Sequence, residues 1–489
     1  MEFRSPASAF AVCSFCRSTL VRDGEALRRI GQSAELFDDH SPLQLGAGGT
    51  HQGAAFTLVG RLQYRYKDGT WNEWHALFDS GKSGWLSEDN GRYVMAFDAP
   101  LAGAPPAAES LAPGQQQVID GQGWTVASVT VAKLIAAQGE LPYPPNTERG
   151  FVVADLRSTR GEVGTLDYSD PAAPTWSIGR SVAISELAMT GLADIAEKTL
   201  SARGVECPNC GAALEIKLAT TQSIVCHQCH AVVDVSKGVG ADLAHYTQGN
   251  GGEPQIPLGR TGTLALGARG PLPWQVVGYV ERCEVPESAD DEREFWREYL
   301  LYHRTEGFAF LVDANDGWSW TAPITGVPQQ VGDGVRHEGA VYRKLYDYTG
   351  EVTWVLGEFY WRLERHERTF NTDYIGTGSA SRKRLNREQT GGGDTREIVW
   401  SAGETLSVDE VVKAFQLAPE QRAALQRDAL PTASGAGLLA KVFFWVFVLV
   451  VVLLLFRCSD SERANCDDLR STYGDASSEY RNCLADNRG

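Results

Sequence analysis

The feature that most constrains this chain is that much of it is written twice. Phe56-Thr-Leu-Val-Gly60 recurs as Trp274-Gln-Val-Val-Gly278, and Trp71-Asn-Glu73-Trp74 as Trp296-Arg-Glu298-Tyr299. Gly139-Glu140-Leu-Pro-Tyr143 returns as Gly357-Glu358-Phe-Tyr-Trp361, and Trp176-Ser-Ile-Gly179 as Trp400-Ser-Ala-Gly403. The offsets are 218, 225, 218 and 224 residues, nearly constant apart from loop changes. A period this long is a whole domain duplicated in tandem.

A second repeat lies in front of each copy. Cys207-Pro-Asn-Cys210-Gly is followed by Cys226-His-Gln-Cys229, two CxxC pairs at zinc-ribbon spacing. Each CxxC turn brings two thiolates to one point, and Pro208 and Gly211 suit the tight knuckle. His227 and His230 flank the second pair, where they could substitute as ligands; Cys207, Cys210, Cys226 and Cys229 are the expected set. Four protein ligands leave no open position, so the expected zinc is structural, contributing on the order of 10–16 kcal/mol to folding the unit. Reduced thiolates also imply a reducing compartment. Glu2-Phe-Arg-Ser…Val12-Cys13-Ser-Phe-Cys16 matches Glu215-Ile-Lys-Leu…Val225-Cys226-His-Gln-Cys229. Residues 1–32 therefore read as the second half of another ribbon, with Cys13 and Cys16 as ligands once its first CxxC is supplied. We expect an upstream start codon or a truncated form, to be checked by reading the preceding nucleotides.

The larger repeated domain reads as β. Phe56, Leu58, Gly60, Leu62, Tyr64 and Tyr66 alternate with Thr57, Val59, Arg61, Gln63 and Arg65. Asp68-Gly69 then turns the chain into Trp71–Phe78, a hairpin. Trp354 to Arg368 is a further strand-pair candidate. Short helices are expected at Ser185–Leu192 and at Ser407–Gln416, the latter with Ser407 as N-cap and Glu410 at N3. Linkers are expected at Ala99–Gln115, Gly238–Gly259 and Asp428–Gly435, and a long mobile loop at Thr372–Asp394. The predicted fold class is mainly β, a β-rich α+β chain. Its order is partial ribbon (1–32), β copy 1 (33–199), ribbon (200–240), β copy 2 (241–427), linker (428–434), apolar helix (435–456) and polar tail (457–489).

The partial CxxC ribbon, the WNEWHALF and WREYLLYH hairpin strands, the GELP and GEFYW motifs and the WSxG element together resemble the bacterial family called domain of unknown function 4178. The resemblance covers Phe56–Leu187 and Trp274–Phe415, with the ribbons in front. It implies a bacterial source and agrees with a zinc ribbon and a C-terminal span. It implies no reaction, ligand or functional residue.

Gly435–Phe456 holds 15 unbroken apolar residues, Val442 to Phe456, and at about 1.5 Å per residue its 22 residues reach roughly 33 Å, enough to cross a bilayer. Lys441 lies near one end. MEFRSPASAFAVCSF is no signal peptide. The expectation is a single-pass bacterial inner-membrane protein with a cytoplasmic bulk and a periplasmic tail, in contact with the lipid bilayer through Gly435–Phe456. Flanking charges are balanced and do not set the orientation. In a periplasmic tail, Cys466 and Cys483 would form a disulfide worth about 3 kcal/mol. Cys458 lies beside the span, and Cys283 reads as a buried small hydrophobe.

Catalytic motifs are missing: there is no GxSxG, P-loop, HExxH or GxGxxG. Glu73, Glu140, Glu298 and Glu358 recur beside aromatics and could serve as acid or base, but turn capping or pairing with arginine is the simpler reading. Trp71, Trp74, Trp85 and Trp296 read as sheet core or partner surface rather than a stacking platform. The run Ser381-Arg-Lys-Arg-Leu-Asn-Arg387 is the one candidate contact for nucleic acid or anionic lipid. Net charge, with 45 Lys+Arg against 62 Asp+Glu and a balance of −17, disfavours nucleic acid. The expected function is a membrane-anchored cytoplasmic interaction scaffold with structural zinc and a protein partner at the inner membrane. The alternatives are an enzyme of unrecognised type with its site in the β domains, and nucleic-acid binding through the ribbon.

Overall fold

The computed structural model describes residues 10–12, 18–23, 26–32, 41–66, 70–89, 91–145, 149–193, 205–218, 221–235, 243–249, 251–267, 270–286, 293–364, 366–390, 397–425 and 466–486. Residues 1–428 form one compact unit and 429–489 another.

Alternating residues give long strands, and in each half eight of them close on themselves. In the first half these are β1 (Ala54–Arg65), β2 (Thr70–Phe78), β3 (Ser83–Asp89), β4 (Arg92–Asp98), β5 (Gln122–Leu141), β6 (Gly150–Arg157), β7 (Glu162–Asp167) and β8 (Thr175–Val182). Antiparallel pairing runs β1-β2-β3-β4-β8-β7-β6-β5 and back to β1. The second half repeats this with β9 (Pro271–Glu284), β10 (Phe295–His303), β11 (Gly307–Ala314), β12 (Gly317–Ile324), β13 (Ala340–Phe359), β14 (Arg368–Gly376), β15 (Lys383–Thr390) and β16 (Glu397–Leu406). Its order is β9-β10-β11-β12-β16-β15-β14-β13 and back to β9. The chain is mainly β and duplicated, as its periodicity predicts.

Which face looks inward follows from reach. Arg282 on β9 lies 3.2 Å from Glu298 on β10 and 3.7 Å from Glu388 on β15. In a flat sheet β15, three strands from β9, would stand roughly 14 Å away; a closed wall brings them together. The inner faces carry these polar groups. The outer faces are mostly apolar and covered. Phe56, Leu58, Trp74, Leu86 and Met95 pack under Leu43, Ala47, Ile184 and Leu187. Trp274, Tyr299, Leu311 and Trp318 pack under Val411 and Phe415 of helix α1 (Val408–Phe415). Ser407 caps α1 in the capping box with Glu410 that the spacing predicts.

Bulges explain why apolar residues fill both faces of one strand. The β1–β2 register slips between Leu58 and Gly60. Phe56 and Leu58 therefore join the outer core, while Leu62 and Tyr64 join the inner one.

A short strand ahead of each barrel is stitched to it at the same place. Residues 10–12 pair with 139–141 of β5, and 223–224 with 358–359 of β13. Phe10 thus stands opposite Leu141 where Ser223 stands opposite Phe359. The crossing strands come so close that a Cβ on Gly139 or Gly357 would lie 2.2 Å from the carbonyl oxygen of Val59 or Val277. Both glycines also hold positive φ, +75° and +94°.

Several expectations are corrected. Among the described residues no helix is long and apolar enough to cross a membrane. Gly435–Phe456, on which the single-pass inner-membrane localisation and the transmembrane helix rested, lies outside the described residues. That localisation is withdrawn. Ser185–Leu192 is a series of turns rather than a helix, with Ala188 at φ +44°. Thr372–Thr390 is no mobile loop; it falls on β14 and β15. Ala99–Gln115 is laid on the first barrel, with Leu111 buried and the Tyr168 hydroxyl donating to the Pro106 carbonyl at 2.7 Å.

In the second unit, residues 466–473 and Ser478–Asp486 are helical, and a disulfide joins Cys466 to Cys483.

Candidate metal centre and the polar barrel interiors

The sulfur atoms of Cys207, Cys210, Cys226 and Cys229 lie within 4.8 Å of one another. The Cys207–Cys229 and Cys210–Cys226 sulfur separations are 3.6 and 3.7 Å. Four thiolates on a tetrahedron with ~2.3 Å metal–sulfur bonds would stand about 3.8 Å apart, so the cluster fits a metal ion and is far too open for disulfides.

The two knuckles are built alike. The Cys207 N–H donates to the Ala212 carbonyl and Gly211 N–H to that of Cys207; Cys226 N–H donates to Ala231 and His230 N–H to Cys226. Gly211 and His230 occupy the same left-handed position, φ +75° and +56°. His230 is therefore a knuckle residue, and its ring packs edge-on against Trp354 at 5.2 Å. His227 is exposed. Neither belongs to the sulfur cluster. The Asn209 side chain donates to Cys229 and holds its thiol down, to about 6. Cys13 and Cys16 lie outside the described residues.

The ribbon is fastened by Glu358. Its carboxylate accepts from the backbone N–H of Lys217 (3.0 Å) and Leu218 (3.0 Å) and from the Thr221 hydroxyl (2.7 Å). Gln248 adds a second tie, donating to the carbonyls of His230 and Val355, both at 2.8 Å. Glu358 thus caps a loop, the simpler of the two roles open to it. Glu140, at the matching position, is buried opposite Ala11.

Both halves match one family model, Domain of unknown function (DUF4178), over residues 44–183 and 269–408. The chain belongs to that family. No curated protein and no solved structure matches it. Each DUF4178 match encloses one full barrel and leaves the ribbon cysteines outside.

Inside each DUF4178 barrel the repeated Trp-x-Glu does the same thing. Trp71 Nε1 donates to Glu73 at 3.1 Å and Trp296 Nε1 to Glu298 at 2.8 Å. In the second copy Arg282 answers the charge: its Nε donates to Glu298 at 3.2 Å and Nη1 to Thr369 at 3.3 Å, with Glu388 at 3.7 Å. In the first copy the donors to Glu73 among the described residues are neutral, Trp71 and Ser87 (2.9 Å). Burial pushes its carboxyl up to about 7, against those donors, and Asp155 and Asp167 add to the rise. Burial raises Asp167 as well. Rings line this interior: Tyr64 stacks on Trp71 at 5.0 Å, and Trp85 lies 5.7 Å from Tyr143. His75 sits between the Glu140 carbonyl and the Ser83 hydroxyl, each 2.9 Å away.

Sequence reasoning singled out Glu73 and Glu298 but missed Arg282, Asp167 and Glu388, which the closed wall brings beside them. Trp74 and Trp85 are buried and offer no stacking platform. The basic run 381–387 largely forms β15, where Arg384, Asn386 and Glu388 share the inner face. The groove where the copies meet, about 280 Å³ and lined by Arg92, Glu186, Thr305 and Glu306 among others, holds the Thr305 hydroxyl 3.3 Å from both His303 Nδ1 and the Glu306 carboxylate.

Proposed function

We propose that the protein is an interaction scaffold, a duplicated β-barrel whose ribbon holds structural zinc and whose surface binds a partner protein. The observation that carries this reading is closure at the ribbon. All four cluster positions are cysteine sulfurs, which leaves no place for a substrate on the ion. The neighbouring carboxylate, Glu358, is engaged by three donors of the same ribbon and is not available as an acid or base. Zinc is the natural occupant of a tetrahedral four-thiolate knuckle pair. Its work there is to hold two hairpins together beside β13. The net charge of −17 weighs against the alternative, nucleic-acid binding through the ribbon.

The test is in-cell crosslinking of the tagged full-length chain, purification, and measurement of bound metal and co-purifying protein. A stoichiometric protein partner with one zinc per cysteine cluster supports the reading. A partnerless preparation that retains its metal, or turnover that depends on that metal, overturns it.

A further inference from the structure

The two barrels supply a comparison within one molecule. Tyr64 and Arg282 are equivalent, each standing opposite the Trp of its Trp-x-Glu, Trp71 and Trp296. Asp167 and Glu388 are also equivalent. Asp167 pairs with Val153, which pairs with Thr130; Glu388 pairs with Asn371, which pairs with Tyr348. Thr130 and Tyr348 are related by the same 218-residue offset as Gly139 and Gly357. The two carboxylates that grip the Arg282 guanidinium in the second copy, Glu298 and Glu388, are therefore both kept in the first as Glu73 and Asp167. The guanidinium is not kept.

From this we infer that the interior of the first barrel binds a small organic monocation, an alkylguanidinium or primary ammonium, beside Tyr64 and against Glu73 and Asp167, the counterparts of the carboxylates that hold Arg282 in the second. The same pair of carboxylates demonstrably holds such a group one copy later. Among the described residues no Lys or Arg forms an ion pair with Glu73, Asp155 or Asp167; Arg149, at the head of β6, is exposed. The surroundings suit the ligand, since the packed ring pairs Tyr64–Trp71 and Trp85–Tyr143 line the interior and aromatic rings attract a cation. An eight-stranded barrel encloses room for one small ligand at most. Tyr143, 46% exposed, stands where the interior meets solvent. This inference does not depend on the scaffold reading.

The experiment is titration of the full-length protein at pH 8 and low salt with methylguanidinium and methylammonium, followed by calorimetry and tryptophan fluorescence. Saturable one-to-one binding is expected, weakened about tenfold or more in Glu73→Gln and Asp167→Asn, the size of one charge-assisted hydrogen bond. Tyr64→Arg should abolish binding and raise the thermal midpoint, because it restores an internal guanidinium. A Gly-Arg-Gly peptide that binds more tightly than methylguanidinium would assign the cation to a peptide side chain and uphold guanidinium recognition. No saturable binding, binding unchanged in Glu73→Gln, or equal competition by Mg²⁺ overturns the inference.

Discussion

The Thr221 hydroxyl of the ribbon donates a 2.7 Å hydrogen bond to the Glu358 carboxylate at the end of a barrel strand. With the N–H groups of Lys217 and Leu218 on the same carboxylate, one side chain joins metal unit and barrel. Replacing Glu358 by Ala leaves the buried Thr221 hydroxyl and two part-buried N–H groups without their acceptor, and a loss of about 2–4 kcal/mol is expected. Thr221→Ala removes one donor and should cost about half as much. Hydrogen exchange of residues 217–225 reports it; unchanged protection there would refute the clasp.

Removal of the metal should act locally. A strong chelator is expected to release one metal ion from the cysteine cluster and to expose Cys207, Cys210, Cys226 and Cys229 to thiol reagents. Exchange should rise in 205–235 and at 358–359, and stay unchanged in β1–β4. Global unfolding on chelation would mean that the barrels depend on the ribbon. Cys226→Ser should lose the metal without chelator.

The Glu73 carboxyl, raised from 4.5 to about 7, favours the fold in its protonated form. Its contribution is fully present below its unfolded value and is lost as the pH rises through about 7. The loss at high pH is roughly 3 kcal/mol. Glu73→Gln should therefore be more stable than wild type at pH 8.5 and nearly equal to it at pH 4. Denaturant midpoints of the two proteins across that range decide it; parallel curves would show that Glu73 does not titrate as its burial requires.

Gly357→Ala and Gly139→Ala should both be severe, because the new methyl meets a backbone oxygen that cannot rotate away. A left-handed alanine adds about 1 kcal/mol. Gly161→Ala, at φ +74° but with nothing within 4 Å, isolates the backbone term. Equal losses at Gly161 and Gly357 would count against the close approach.

The duplication, the ribbon and the α1 cap were legible because each depends on spacing along the chain. Barrel closure was not, since β4 pairs with β8 across some 80 residues and no local pattern announces it. The stretch 372–390 misled for a physical reason. Arg384, Asn386 and Glu388 alternate on β15 as strand residues should, but they face a polar interior, so the usual apolar signal is missing. Arg282 and Tyr64 keep the 218-residue offset of Phe56 and Trp274, but only the strand pairing shows that each stands opposite the Trp of its Trp-x-Glu.

On the outer walls, each half answers one buried carboxylate in its own way. In the first, Arg61 on β1 reaches Glu88 on β3 through Asn72 on β2. In the second, Arg297 on β10 faces Asp313 on β11 at 3.7 Å, and Tyr279 takes the position of Arg61. A nascent chain that joined β1 to β10 would bury two guanidiniums against one acid, and one that joined β9 to β2 would bury none. Near-identical neighbours are prone to exchange strands while folding. With Glu281 on β9 also 3.9 Å from Arg297, placing the positive charge on different strands gives each wrong marriage a charge count that neither native barrel has.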